Sequence, residues 1–279
     1  MTIVLLTLRE AANRRVLLVG SVISAAFLAL FWIGFSVGFT STVEDPADPT
    51  SPEAAATIMT VLGLYAVQFL AAFTAILLAS GAVAPEIESG RLHAILARPI
   101  SRTSWLAQRA GTFAAVSATY VVVMSTAVLA IASMVAGYSP VGPGRGLALL
   151  ALEVVVLVAL GTALSVRLSA LAAGIVVVAM HAAAWIGGIM ELVGGVLDNA
   201  VLERIGVAVS LVIPSDALWR AGSYHLQSPA FLAASSVQED VANPFGGSVP
   251  PSVAFVLWSL AYVGVWAVLA DRWFRRRDL

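Results

Sequence analysis

From Val16 to Phe39 the chain reads VLLVGSVISAAFLALFWIGFSVGF, fourteen of whose residues are Val, Leu, Ile or Phe and none of which is charged. Hydrocarbon about 30 Å thick is crossed by roughly 20 apolar residues of helix, so this run is long enough to span it. At about −0.3 to −0.6 kcal/mol each, its large apolar side chains favour insertion by roughly 4 to 8 kcal/mol. Five further stretches read the same way: Thr57–Val83, Gly111–Gly137, Leu147–Val166, Ser169–Met190 and Pro251–Ala270. The expected fold class is an all-α polytopic membrane protein, one transmembrane domain over 1–279 with six spans.

Composition agrees. Sixty per cent of the residues are hydrophobic, only 11% are charged, and the mean hydropathy is +0.95. Soluble domains carry about 25% charged residues, because water must wet their exterior; a chain this poor in charge has to be covered by lipid. There is no cysteine, which removes disulfides and thiolate metal sites. There is no lysine either, all fifteen basic residues being arginine. A nucleotide-binding P-loop needs its lysine, so ATP hydrolysis is expected on another polypeptide. No catalytic group, metal site, cofactor or nucleic-acid partner is expected in this chain.

The arginines set the expected orientation. Arg9, Arg14 and Arg15 precede the first span, Arg91, Arg98, Arg102 and Arg109 lie around the second connection, Arg167 follows the fourth span, and Arg272, Arg275, Arg276 and Arg277 follow the sixth. Only Arg145, Arg204 and Arg220 fall on the other side, which collects acids such as Glu44, Asp45, Asp48 and Glu53. Cytoplasmic loops are the arginine-rich ones, so both termini are expected in the cytoplasm of a bacterial inner membrane. Residues 1–15 read as an interfacial helix rather than a cleaved leader: Asn13-Arg14-Arg15 loosely resembles a twin-arginine signal, but the apolar run behind it is too long and no A-x-A site follows. Residues 191–250 form a long external segment. Its apolar run Ile205–Ile213, ended by Pro214, is too short to cross and is expected to lie at the interface or to dip in and return.

The functional signal lies in 84–105, between the second and third spans. Leu92, Ile95 and Leu96 recur at helical spacing, while Glu86, Arg91, His93 and Arg98 would take the remaining surface of a short cytoplasmic helix. Pro85 and Pro99 bracket it, and Ser101 or Thr103 is placed to cap the next helix. A bare connector whose arginines merely fix topology would share most of these features.

The stretch resembles the type-2 ATP-binding-cassette permeases, which carry an acidic pair, Gly-Thr-Leu, a leucine-rich helix and Pro-Ile-Ser-Arg. Glu86, Glu88, Gly90, Leu92, Leu96, Pro99, Ser101 and Arg102 match, and Arg91 stands where threonine is usual. Arg9-Glu10 and the run from Ile213 to Arg220 also look like parts of that family. The resemblance implies that the loop is a coupling helix seated in a groove of an ATPase subunit, which holds the ATP and magnesium. It also implies that two copies, or two related chains, form the pathway, commonly with spans two and five.

Two ionisable residues inside spans are candidate pathway residues. Glu153 in span four either faces a cavity and touches cargo or a proton, or is a hydrogen-bonded carboxyl joining helices. His181 in span five, like Gln68 in span two, reads first as a helix-to-helix hydrogen bond. The pair Gly34 and Gly38 permits close helix packing, and the seven tryptophans are expected mostly near the membrane interfaces. The expected function is the membrane permease subunit of an ATP-driven exporter. An ion-coupled secondary transporter and a membrane anchor for a signalling assembly are the alternatives; the first lacks the internal repeats usual in such folds. An intramembrane enzyme ranks lowest, for want of a convergent acid and base set.

Overall fold

A computed structural model describes residues 15–44, 51–88, 90, 101–235 and 245–277. All regular structure among them is helical: α1 (Arg15–Glu44), α2 (Pro52–Ser80), α3 (Ala84–Glu88), α4 (Arg102–Ala136), α5 (Pro143–Ser165), α6 (Ala170–Val196), α7 (Ala200–Val212), α8 (Ser215–Leu226), α9 (Pro229–Ser235) and α10 (Val253–Arg275). Among the described residues six helices are long and apolar enough to cross a membrane: α1, α2 with α3, α4, α5, α6 and α10. This is a multi-pass membrane protein.

The spans differ in how far they are enclosed. Over their most apolar windows α5 is 61% buried and α2 56%, against 11% for α1 and 17% for α10. The central pair is therefore α2 and α5, and the outer helices turn large apolar side chains such as Leu30, Val37, Leu171, Ile186 and Leu257 outward. Small residues let the centre close: Ala71, Ala75 and Ala79 of α2 are fully buried beside Val154, Leu157 and Leu160 of α5. A Cβ at Gly161 would come within 2.7 Å of the Ala79 Cβ. Of the expected glycine pair, only Gly38 makes a close approach, to Met59; Gly34 faces open space.

Helix ends follow their capping residues. Ser51, Ser101, Ser169 and Ser252 each accept from a backbone N–H three residues on, opening α2, α4, α6 and α10. Because Ser101 caps α4, that helix begins at Arg102, well before the apolar run at Gly111, and residues 102–105 of the expected loop are already its first turn. Arg102, Arg167, Arg275 and Arg277 gather at one end of the bundle. There Arg102 Nη1 donates to the carbonyls of Arg275 and Arg277, Arg277 Nη1 donates to the Val166 carbonyl, and Arg167 lies over the Trp273 ring.

At the opposite end the chain folds back into the bundle. α7 returns along α6, seated by glycines: a Cβ on Gly194 would lie 2.5 Å from the Glu203 nitrogen, and one on Gly206 2.6 Å from the Gly187 carbonyl. The return stops at Ile213 and Pro214, level with His181, about 22 Å of helix rise before α6 ends. α8 then runs outward beside α5, where Gly146 and Leu226 touch. Two tryptophans are enclosed by the chain itself. Trp105 and Trp219 are buried, the first stacked on Phe274 and the second against Tyr65 with its Nε1 donating to the Phe245 carbonyl.

Candidate functional site

The expected coupling segment is described at its two roots, Glu86–Glu88 with Gly90 on one side and Arg102 on the other. Arg91, Leu92, Leu96 and Pro99 lie outside the described residues, as does the expected interfacial helix before Arg15. Glu86 and Glu88 sit two apart on α3, so at 100° per residue they point about 200° apart. Their fates differ accordingly. Glu88 is exposed, whereas Glu86 is 3% exposed and its Oε1 accepts from Arg109 Nη2 of α4 at 3.1 Å.

This corrects the expectation that Glu86 belongs to the free surface of the loop. Arg109 is itself buried, its guanidinium lying over the rings of Trp105 and Phe113 at 5.5 and 5.6 Å. A buried arginine needs a counter-charge, and α3 supplies it by turning Glu86 inward. Gly90 then ends the helix with φ +68°, its N–H donating to the Ile87 carbonyl at 3.1 Å. A residue with a Cβ is strained in that left-handed conformation, which gives the motif glycine a backbone reason. Arg102, at the other root, is turned to the chain's own tail by the two carbonyl bonds described above.

The two expected pathway residues are both buried and stand apart from each other's partners. Glu153 of α5 is 1% exposed, and Gln68 Nε2 of α2 donates to its Oε1 at 2.6 Å. His181 Nδ1 shares a hydrogen bond of 3.0 Å with Ser215 Oγ at the start of α8. An apolar groove opens between α1 and α2, lined by Ile23, Phe27, Leu62, Tyr65, Phe69 and Phe73; neither Glu153 nor His181 lines it. In this arrangement each side chain joins two helices by a hydrogen bond.

A third polar group joins the folded-back hairpin to α6. Arg220 donates to Glu191 Oε2 at 2.6 Å and to Asp216 Oδ2 at 3.0 Å, and lies 3.4 Å from Ser210 Oγ. Burial pushes the Asp216 carboxyl up to about 6 even though Arg220 pulls it down, and Glu191 adds to the rise. Burial works against the charge of Arg220, but Asp216 and Glu191 outweigh it and hold the guanidinium above its ordinary value. The spacing of Asp216 and Arg220, four apart on one helix, signals their pairing. Nothing local pointed to Glu191.

Residues 16–185 match a family described as a protein of unknown function (DUF2705). The chain belongs to that family. The matched DUF2705 region takes in the Glu86–Arg109 pair, Gln68, Glu153 and His181, and it ends before the α7–α8 hairpin. No curated protein matches the DUF2705 chain.

Proposed function

We propose that this chain is the membrane-spanning permease subunit of an ATP-driven exporter, of the type-2 ATP-binding-cassette kind. It sits in a bacterial inner membrane with both termini in the cytoplasm. A separate ATPase subunit carries the ATP and magnesium and docks on the loop that Glu88, Gly90 and Arg102 frame, with Arg91, Leu92, Leu96 and Pro99 within it. Two copies, or this chain and a related one, enclose the pathway.

The observation that supports this reading best is the buried Glu86–Arg109 pair. A connector that only closes a loop has no need to bury an ion pair at its root. Here the pair ties α3, and through it α2, to α4, so a load applied between residues 89 and 101 is delivered to the second and third spans together. Arg102 extends the same tie to the chain's tail and, through Arg277, to the turn after α5. Glu86 acts in this scheme as a positioning residue, while exposed Glu88 is the acid left to meet a partner.

The test starts from the adjacent reading frame, which is expected to encode a Walker-type ATPase, and is made on the complex of that ATPase with this chain. Glu88→Arg and Gly90→Pro are each expected to abolish substrate-stimulated ATP hydrolysis while the complex still forms. Unchanged stimulation in both variants refutes the coupling role. Transport that persists in ATP-free liposomes under an ion gradient points instead to a secondary transporter, and flux indifferent to an inactive ATPase points to an anchor.

A further inference from the structure

Glu153 and Gln68 meet between the two most enclosed helices, α5 and α2, and their hydrogen-bond count does not close. Gln68 Nε2 donates to Glu153 Oε1. The other two oxygens of the pair, Glu153 Oε2 and Gln68 Oε1, are buried without a hydrogen-bond partner. With the carboxyl ionised, both of those atoms are acceptors, and buried acceptors left unmade are costly.

The surroundings offer no remedy. Among the described residues no cation pairs with Glu153. On the helices packed against α5, the other titratable groups have their own settings. Arg109 of α4 is held by Glu86 and Tyr120 of α4 by Ser24, His181 of α6 meets Ser215, and Asp216 and Arg220 of α8 hold each other. Tyr65 of α2 stacks among aromatic rings and Tyr262 of α10 lies between Trp258 and Trp266. A metal ion does not fit, because hard cations gather about six oxygens and the described residues hold no group of three or more candidate ligands.

One proton resolves both atoms. Bound to Glu153 Oε2, it turns that oxygen into a donor, and the acceptor it needs is the amide oxygen of the residue already bonded to the other half of the carboxyl. We propose that Glu153 and Gln68 form a buried proton site, the carboxyl in its acid form donating from Oε2 to Gln68 Oε1, so that a two-point acid–amide ring clasps the second span to the fourth. Parting α2 from α5 at this level removes the acceptor and admits water to the carboxyl, which then releases its proton. Separation of the central helices is therefore linked to proton release, and their closure to uptake. The proposal rests on the α2–α5 contact alone and stands or falls independently of the exporter reading.

The test uses the full chain in lipid nanodiscs at neutral pH, by infrared difference spectroscopy. Subtracting Glu153→Gln from wild type is expected to show the carbonyl stretch of a neutral, hydrogen-bonded carboxylic acid. In Gln68→Leu that band is expected to move to the frequency of a more weakly bonded acid. Glu153→Gln rebuilds the ring with an amide, so it is expected to unfold at the wild-type temperature, and Gln68→Leu below it. Loss of a carboxylate stretch in Glu153→Gln, in place of the acid band, overturns the proposal. So does a band that Gln68→Leu leaves unmoved, or a Glu153→Gln protein that fails to fold.

Discussion

Removing one partner of the Glu86–Arg109 pair should damage the protein far more than removing both. The two side chains are 4% and 5% exposed and 3.1 Å apart, so removing either takes from the other a charge it holds close in a buried setting. Breaking a pair so buried costs about 3–5 kcal/mol, whereas replacing both partners by apolar residues of similar volume is often neutral or stabilising. Glu86→Leu and Arg109→Met are suitable replacements, since methionine can still lie against the rings of Trp105 and Phe113. At roughly 2–4 °C per kcal/mol for a chain of this order of size, each single variant should unfold ~6–20 °C below wild type. The double variant should recover most of that loss. The assay is thermal unfolding of the purified chain in one detergent, followed as the decay of its monodisperse peak in size-exclusion chromatography. Single variants within about 1 kcal/mol of wild type, or a double variant that loses the sum of the two, would refute the argument that this pair is a sealed tie.

Neighbouring glycines of α6 provide a second check. Gly194→Ala drives a methyl group into the Glu203 backbone, whereas Gly195 faces open space. The first should cost about 1–3 kcal/mol, and the second should leave stability unchanged or raise it by about 0.5–1 kcal/mol, both read from unfolding midpoints. Equal effects would mean that α7 is not seated on Gly194. The third check concerns pH. An unfolded aspartate titrates near 3.9 and folded Asp216 at about 6, so between those values the folded chain binds the extra proton. The contribution of Asp216 to stability is then greatest below about pH 4, falls by up to about 3 kcal/mol as pH rises to 6, and stays level above that. Unfolding measured from pH 4 to 7 in Glu153→Gln, which removes the buried Glu153 carboxyl, should show this slope and lose it when Asp216→Asn is added. The same slope in both would remove Asp216 as its source.

The six spans were legible because insertion into lipid is a property of each segment: an apolar run of sufficient length needs no partner to declare itself. The hairpin was not, since α8, with Asp216, Arg220 and His225 in twelve residues, reads as a surface helix. It enters the bundle with Leu218, Trp219 and Leu226 buried, while Glu191, on a different helix, shares the charge of Arg220. Glu86 failed for the same reason. Its place on a polar loop predicts exposure, and only the buried Arg109, twenty-three positions further on, reverses that. Glu153 and Gln68 were each marked as polar residues inside spans, yet eighty-five positions separate them, and no local pattern joins residues so far apart. What the sequence withholds is the identity of distant partners.

The glycine seats between α6 and α7 restrict how this part of the molecule can move. Sliding one helix along the other by a single turn, about 5.4 Å, would lift Gly194 and Gly206 out of register and force side chains against bare backbone. Translation along the shared axis is thereby blocked, while rotation of both helices together is not. The fifth span and the helix that doubles back along it behave as one thick strut, and any bending must take place at its ends.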